Sequence, residues 1–300
     1  MDARITKQRL ANMLSYDWLK ILGAIALAAV FFSLFFTMIG TRPTDGQSFY
    51  VYAYDGLTAG SDFPNLQDKM KSDGVFSYEI LKTGSESFST NKLYGDTVFN
   101  SRRAAGEGRV MFVNDGRTQD EKGTEHSKLL DFIEYKGTPQ ESFASFIDPS
   151  VFLSDCKNYL VQFFGEDLQG ELNQEKARAT FMARNKKDAR FRSAAKKEQG
   201  VVLEGQRLEK LKEDYLLVSS QVGESLKYVT YTTEQKTHTI GFSMAEMNII
   251  PLVYYTVEKD GEKEQQNNDV ALCIFNNGKR EGDLKYETVN FLAYLLRAYR

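Results

Sequence analysis

The sequence predicts an α/β body with a helical middle section, placed after a single N-terminal transmembrane helix. Three observations carry this prediction. Residues 21–41 contain no charge. Residues 49–113 alternate apolar, β-branched runs with polar, helix-forming ones, in the order strand, helix, strand, helix, strand that builds a parallel sheet. Residues 143–222 then turn helical, and the chain returns to strands and a closing helix.

The uncharged run is the strongest signal. Its 21 residues span about 31 Å as a helix, close to the roughly 30 Å of a bilayer core. Trp18 stands at its entry, where an amphipathic ring prefers the interface. Arg4, Lys7, Arg9 and Lys20 precede the run, and Arg42 alone follows it within residues 41–60. By the positive-inside rule, residues 1–20 are then cytoplasmic and the rest of the chain is outside. The Ala-x-Ala patterns at Ala24 and Ala26 fall inside the apolar run and no cysteine precedes Cys156, so the run reads as an uncleaved signal anchor. Residues 42–47 read as a linker and residues 48–300 as the extracytoplasmic domain.

Composition narrows the class. With 42% apolar and 26% charged residues the chain is neither disordered nor a multi-span membrane protein. Removing residues 1–42 takes away five basic and two acidic residues, leaving 33 against 39 and a net charge of −6. That balance argues against a nucleic-acid partner. Two histidines and two cysteines offer little for a transition metal, and no cofactor motif is present.

Along the outer chain, strands are expected at residues 49–54, 75–81 and 109–113, with helices at 64–72 and 92–105. Residues 143–164 read as a helix broken near Pro149. Residues 175–198 hold nine Lys or Arg against three acids. That stretch reads either as a surface for anionic lipid heads or wall polymers, or as a solvated helix whose Phe181 and Phe191 pack inward, the second being favoured. Leu208, Leu211, Tyr215, Val218 and Val222 recur at helical spacing, as do Val289, Leu292, Leu296 and Tyr299. Strands are expected again at residues 228–232, 252–257 and 270–275.

Four stretches carry a family resemblance: residues 49–54 (FYVYAY), 109–113 (RVMFV), 188–192 (DARFR) and 283–288 (DLKYET). Together with the order of elements they make the chain similar to membrane-anchored solute-binding-like proteins of Gram-positive bacteria. The resemblance implies a two-lobed, type II periplasmic-binding-like ectodomain. It also implies a small-molecule ligand and a transporter permease or membrane sensor as partner.

In open α/β sheets ligands gather beyond the carboxyl ends of strands. Those ends are Tyr54 and Asp55 after the first strand and Asn114 and Asp115 after the third. Tyr54 offers a stacking face, and the two aspartates accept hydrogen bonds. The same residues also read as plain turn chemistry, since Asp55-Gly56 and Asn114-Asp115-Gly116 are turn sequences. Catalysis is not expected: His126 and His238 lie far apart, no Gly-x-Ser-x-Gly elbow occurs, and Cys156 and Cys273 sit in apolar runs. A Cys156–Cys273 disulfide and two buried free thiols both remain open, the thiols being favoured. Two functions follow: a membrane-anchored ligand-binding protein serving a transporter or sensor, or a non-catalytic interaction subunit of an envelope complex that has lost its ligand.

Overall fold

The computed structural model describes residues 7–8, 11, 18–39, 43–88, 95–121, 123, 125–135, 145–186, 188–232 and 236–300. It divides into two units, residues 1–42 and 43–300. The first contains helix α1 (Trp18–Ile39). Its window Trp18–Phe35 has a mean hydropathy of 2.1 and is 0% buried. It is long and apolar enough to cross a membrane. The expected span of residues 21–41 ends at 40 and 41, which lie outside the described residues.

The second unit is built on a six-stranded mixed sheet. Its parallel part comes from β1 (Ser48–Ala53), β3 (Lys82–Ser87) and β4 (Val110–Asn114), with β1 between the other two. Helix α2 (Leu66–Ser72) links β1 to β3, and α3 (Gly95–Ala104) links β3 to β4. Each link is a strand–helix–strand crossover, as the sequence pattern predicts. The antiparallel part comes from β7 (Lys227–Thr232), β8 (Thr237–Ser243) and β11 (Val270–Ile274). The order across the sheet is β3-β1-β4-β11-β8-β7. The last strand of the chain therefore sits beside β4 in the middle, joining early and late segments. Short strands β5 (Thr118–Gln119) and β6 (Glu125–His126) pair with each other. Strands β9 (Val253–Lys259) and β10 (Glu262–Gln266) form a small separate sheet with β2 (Thr58–Ala59).

Strand alternation divides the core between the two faces of the large sheet. Phe49, Val51, Phe112 and Leu272 point to one face, under α2, α5 (Pro149–Phe164), α7 (Ala194–Gln221) and α8 (Glu287–Tyr299). Tyr50, Tyr52, Met111 and Cys273 point to the other, under α3 and α4 (Lys128–Tyr135). Cys156 belongs to the first face and Cys273 to the second, and both are buried free thiols. The sheet between them rules out a disulfide.

Several expectations change in detail. Residues 75–81 are turns and bends; the second parallel strand is the polar Lys82–Ser87 segment that follows. A strand that lies at a sheet edge needs no apolar run, whereas Val75 and Ile80 still reach the core from an irregular path. Residues 45–47 are a 3₁₀ turn with Gly46 and Gln47 buried, so residues 43–47 of the expected linker belong to the second unit, and residue 42 lies outside the described residues. Helix α5 begins at Pro149, because Asp148 accepts N–H bonds from Ser150 (2.8 Å) and Val151 (3.4 Å) and proline suits a first helical turn. Residues 92–94 and 143–144 of two expected helices lie outside the described residues. Residues 43–300 cluster as one compact unit, with mixed α/β architecture.

Candidate functional site

Strands β1 and β4 are neighbours and parallel, so their carboxyl ends bring Tyr54, Asp55, Asn114 and Asp115 to one end of the sheet. The Tyr54 N–H donates to the Phe112 carbonyl at 2.8 Å, and the Tyr54 ring packs 5.2 Å from both Phe99 and Phe132. Asp55 is buried and pairs with Lys128 Nζ at 3.1 Å. Asn114 Oδ1 accepts the Gly116 N–H at 2.7 Å, the bond of an Asx turn. The Asp115 carboxylate pairs with Arg117 at 3.1 Å and accepts the Ser127 hydroxyl at 2.9 Å. Burial pushes the Asp115 carboxyl up, against the pull of Arg117. Ser127 in turn accepts the Leu130 N–H at 3.0 Å and caps α4. All four residues have internal partners, and Asn114 closes a turn with its side chain.

Three cavities lie elsewhere. One of about 310 Å³ runs between α2 and the start of β3, lined by Met70, Lys71, Phe76, Ile80, Leu81 and Thr83. A second of about 140 Å³ sits at the opposite end of the sheet, near Asp45, Ser48, Lys82, Glu107 and Arg109. A third of about 280 Å³ lies between α7 and α8, near Lys210, Asn290, Tyr294 and Arg297. Tyr54, Asp55, Asn114 and Asp115 line none of these three. Among the described residues no cluster of His, Cys, Asp and Glu forms a metal site.

The most heavily charged constellation was not expected from the sequence. It assembles around Arg184 at the end of α6 (Gln174–Arg184), Arg190, and Arg207 within α7. Arg207 Nε donates to Glu287 at 2.7 Å and its Nη1 to Glu204 at 3.0 Å, with all three side chains fully buried. Arg184 pairs with Glu204, with Glu79 at 3.0 Å and with Asp283 at 2.6 Å. Arg190 donates to Glu79 at 2.7 Å and to Asp188 at 2.8 Å. Neutral groups complete the set: the Ser77 hydroxyl donates to Glu287 (2.7 Å), Tyr78 to Glu204 (2.9 Å) and Tyr159 to Asp283 (2.8 Å).

Electrostatics follow from this crowding. Burial alone would raise the Glu79 carboxyl, but Arg184, Asn185 and Arg190 overcome it and bring it down to about 2. For Asp283, Arg207 and Arg184 likewise outweigh burial and hold the carboxyl low. Burial works against the Arg207 cation, yet Tyr159, Glu287, Glu204 and Asp283 raise it well above its ordinary value.

The network also resolves the basic stretch. Phe181 and Phe191 pack inward with ring centroids 4.9 Å apart, and Arg184 and Arg190 are drawn in to buried carboxylates. Arg178 pairs with Glu198 on the surface. Composition could not reveal this, because two of the carboxylates that draw Arg184 and Arg190 in, Glu79 and Asp283, lie roughly 100 positions away in sequence. The DARFR and DLKYET stretches supply Asp188, Arg190, Asp283 and Glu287 to it. Compared with protein-family models, curated proteins and solved structures, the chain has no match.

Proposed function

We propose that this chain is a membrane-tethered, non-catalytic interaction protein, with α1 as its anchor, residues 1–20 in the cytoplasm and residues 43–300 outside. In this reading a solute-binding-like body has become a fixed docking platform. The carrying observation is the buried ion network. It ties residues 77–79 to α6, α7, the 3₁₀ turn around Asp283, and α8. A two-lobed receptor closes on its ligand by moving elements apart and together about a hinge. Parting these elements would separate Glu79 from Arg184 and Arg190, and Glu287 from Arg207, which costs several kcal/mol for each lost partner. The internal pairing of Asp55 and Asp115 points the same way.

The test is a thermal-shift screen of the full chain in detergent against sugars, amino acids, short peptides and divalent metal ions. A ligand at a hundredfold excess over its dissociation constant stabilises a folded protein by about 2.7 kcal/mol, a shift that is easily seen. The platform reading expects no shift from any class. A shift abolished by Asp55→Ala would return the chain to the receptor class.

A further inference from the structure

We infer that β3 is a self-pairing edge, through which a second copy of this chain adds antiparallel to the large sheet about a twofold axis at Gly84. The inference does not depend on the platform reading, since a ligand-binding body could pair in the same way. It starts from the position of β3, which ends the sheet and among the described residues pairs only with β1. The register aligns Ala53 with Ser87, and the Phe88 N–H donates to the Ala53 carbonyl at 2.8 Å. Alternate residues of a parallel strand face its neighbour. Gly84 and Glu86 therefore turn their backbone groups to β1, while Thr83, Ser85 and Ser87 turn theirs to the open edge.

The sequence of that edge is its own complement. Under antiparallel pairing centred on Gly84, Lys82 faces Glu86 of the second copy, Thr83 faces Ser85, and Gly84 faces Gly84. Thr83 and Ser85 then exchange both backbone hydrogen bonds with their opposites. Lys82 and Glu86 become directly opposed non-hydrogen-bonded pairs, where side chains come closest and opposite charges attract. Both charges stand on the Tyr50 face: Lys82 Nζ lies 5.2 Å from the Tyr50 ring, and Glu86 pairs with Arg102 at 2.8 Å. At the centre Gly84 is packed against the Tyr50 ring and brings no side chain into the closest approach.

An edge defended against pairing carries charges that repel a second copy. Here the two signs stand at mirror positions and attract one instead. The opposite edge, β7, is less available, because Arg117 Nη2 already donates to the Thr230 carbonyl at 2.7 Å.

The full chain in detergent, followed by light scattering across concentration, tests the inference. It should dimerise. Lys82→Glu and Glu86→Lys each set like charges opposite one another and should weaken the dimer at least about tenfold. The combined swap should restore it. Because Glu86 also holds Arg102, a second measurement avoids charge reversal altogether. Lys82→Cys and Glu86→Cys chains, mixed under mild oxidation, should give a disulfide-linked dimer that neither gives alone, since directly opposed residues lie within bonding range. A wild-type chain that stays monomeric, or a dimer that ignores the swaps and gives no mixture-specific cross-link, would overturn the inference.

Discussion

Arg207 and Glu287 lie 80 positions apart in sequence, yet they meet at 2.7 Å with both side chains wholly removed from solvent. Glu287 also accepts Ser77 and Asn290, and Arg207 also reaches Glu204, Tyr159 and Asp283. Removing Arg207 leaves those carboxylates without their central cation. Arg207→Met should destabilise the fold by about 3–5 kcal/mol, read as a lower urea midpoint. A loss under about 1 kcal/mol would show that water enters and replaces the guanidinium.

Acid should loosen the same network. The Glu79 carboxyl falls from an ordinary 4.5 to about 2 on folding, and Asp283 and Asp188 are also held low by arginines that outweigh their burial. A depressed carboxylate contributes its full stability above its unfolded pKa and loses it as pH falls through the folded value. Stability should therefore decline between about pH 4.5 and pH 2, with Glu79 alone contributing about 3 kcal/mol. Urea midpoints across that range should drop, and Glu79→Gln should flatten the slope.

The sequence shows plainly those elements whose burial is one-sided or total. The stripes in α7 and α8 and the apolar runs of β1, β4 and β11 sit where their spacing puts them, except that Val222, the last residue of the α7 stripe, lies past the helix end in extended backbone. Strand β3 reads as a polar loop because an edge strand can be held by backbone bonds alone. Strand β8, with only its second half buried, gives no alternation to detect. Tyr54, Asp55, Asn114 and Asp115 could be placed together, because parallel strands put like ends side by side. The partners that occupy them, Arg117 and Ser127 from connecting segments and Lys128 from the first residue of α4, are brought there along a path no local pattern encodes. The buried ion network escapes for the same reason: a buried arginine and a solvated one are the same letter.

Gly200 should reverse the usual rule for helices. It lies inside α7, where alanine normally stabilises by about 1 kcal/mol. A β-carbon there would run into the ring of Phe181, which is itself buried against Phe191. Overpacking of this kind costs about 1–3 kcal/mol, so Gly200→Ala should lower the melting temperature. A rise would mean that the contact between α6 and α7 yields readily.

Two tyrosines should respond oppositely to loss of their hydroxyl. Tyr159 donates to Asp283 at 2.8 Å and accepts from Arg207. The Tyr52 hydroxyl is buried and has no hydrogen-bond partner among the described residues. Tyr159→Phe should cost about 1–3 kcal/mol, whereas Tyr52→Phe should be neutral or mildly stabilising, because it removes a desolvated group that bonds nothing. Paired unfolding curves decide the matter, and a loss at Tyr52 equal to that at Tyr159 would reveal a bound water.

Topology offers the most direct check on the anchor. Trp18–Ile39 carries one charge, Lys20, near its start, and four basic residues lie at or before that point. If that bias sets the orientation, a cysteine placed at Asp120 should react with a membrane-impermeant maleimide in intact cells, and one placed at Leu10 only after permeabilisation. The native thiols should not interfere, because Cys156 and Cys273 are buried and burial pushes both well above the ordinary thiol range, leaving little nucleophilic thiolate. Labelling at position 10 but not 120 would invert the orientation. Release of the chain from membranes by carbonate would remove the anchor altogether, and with it the case for a tethered platform.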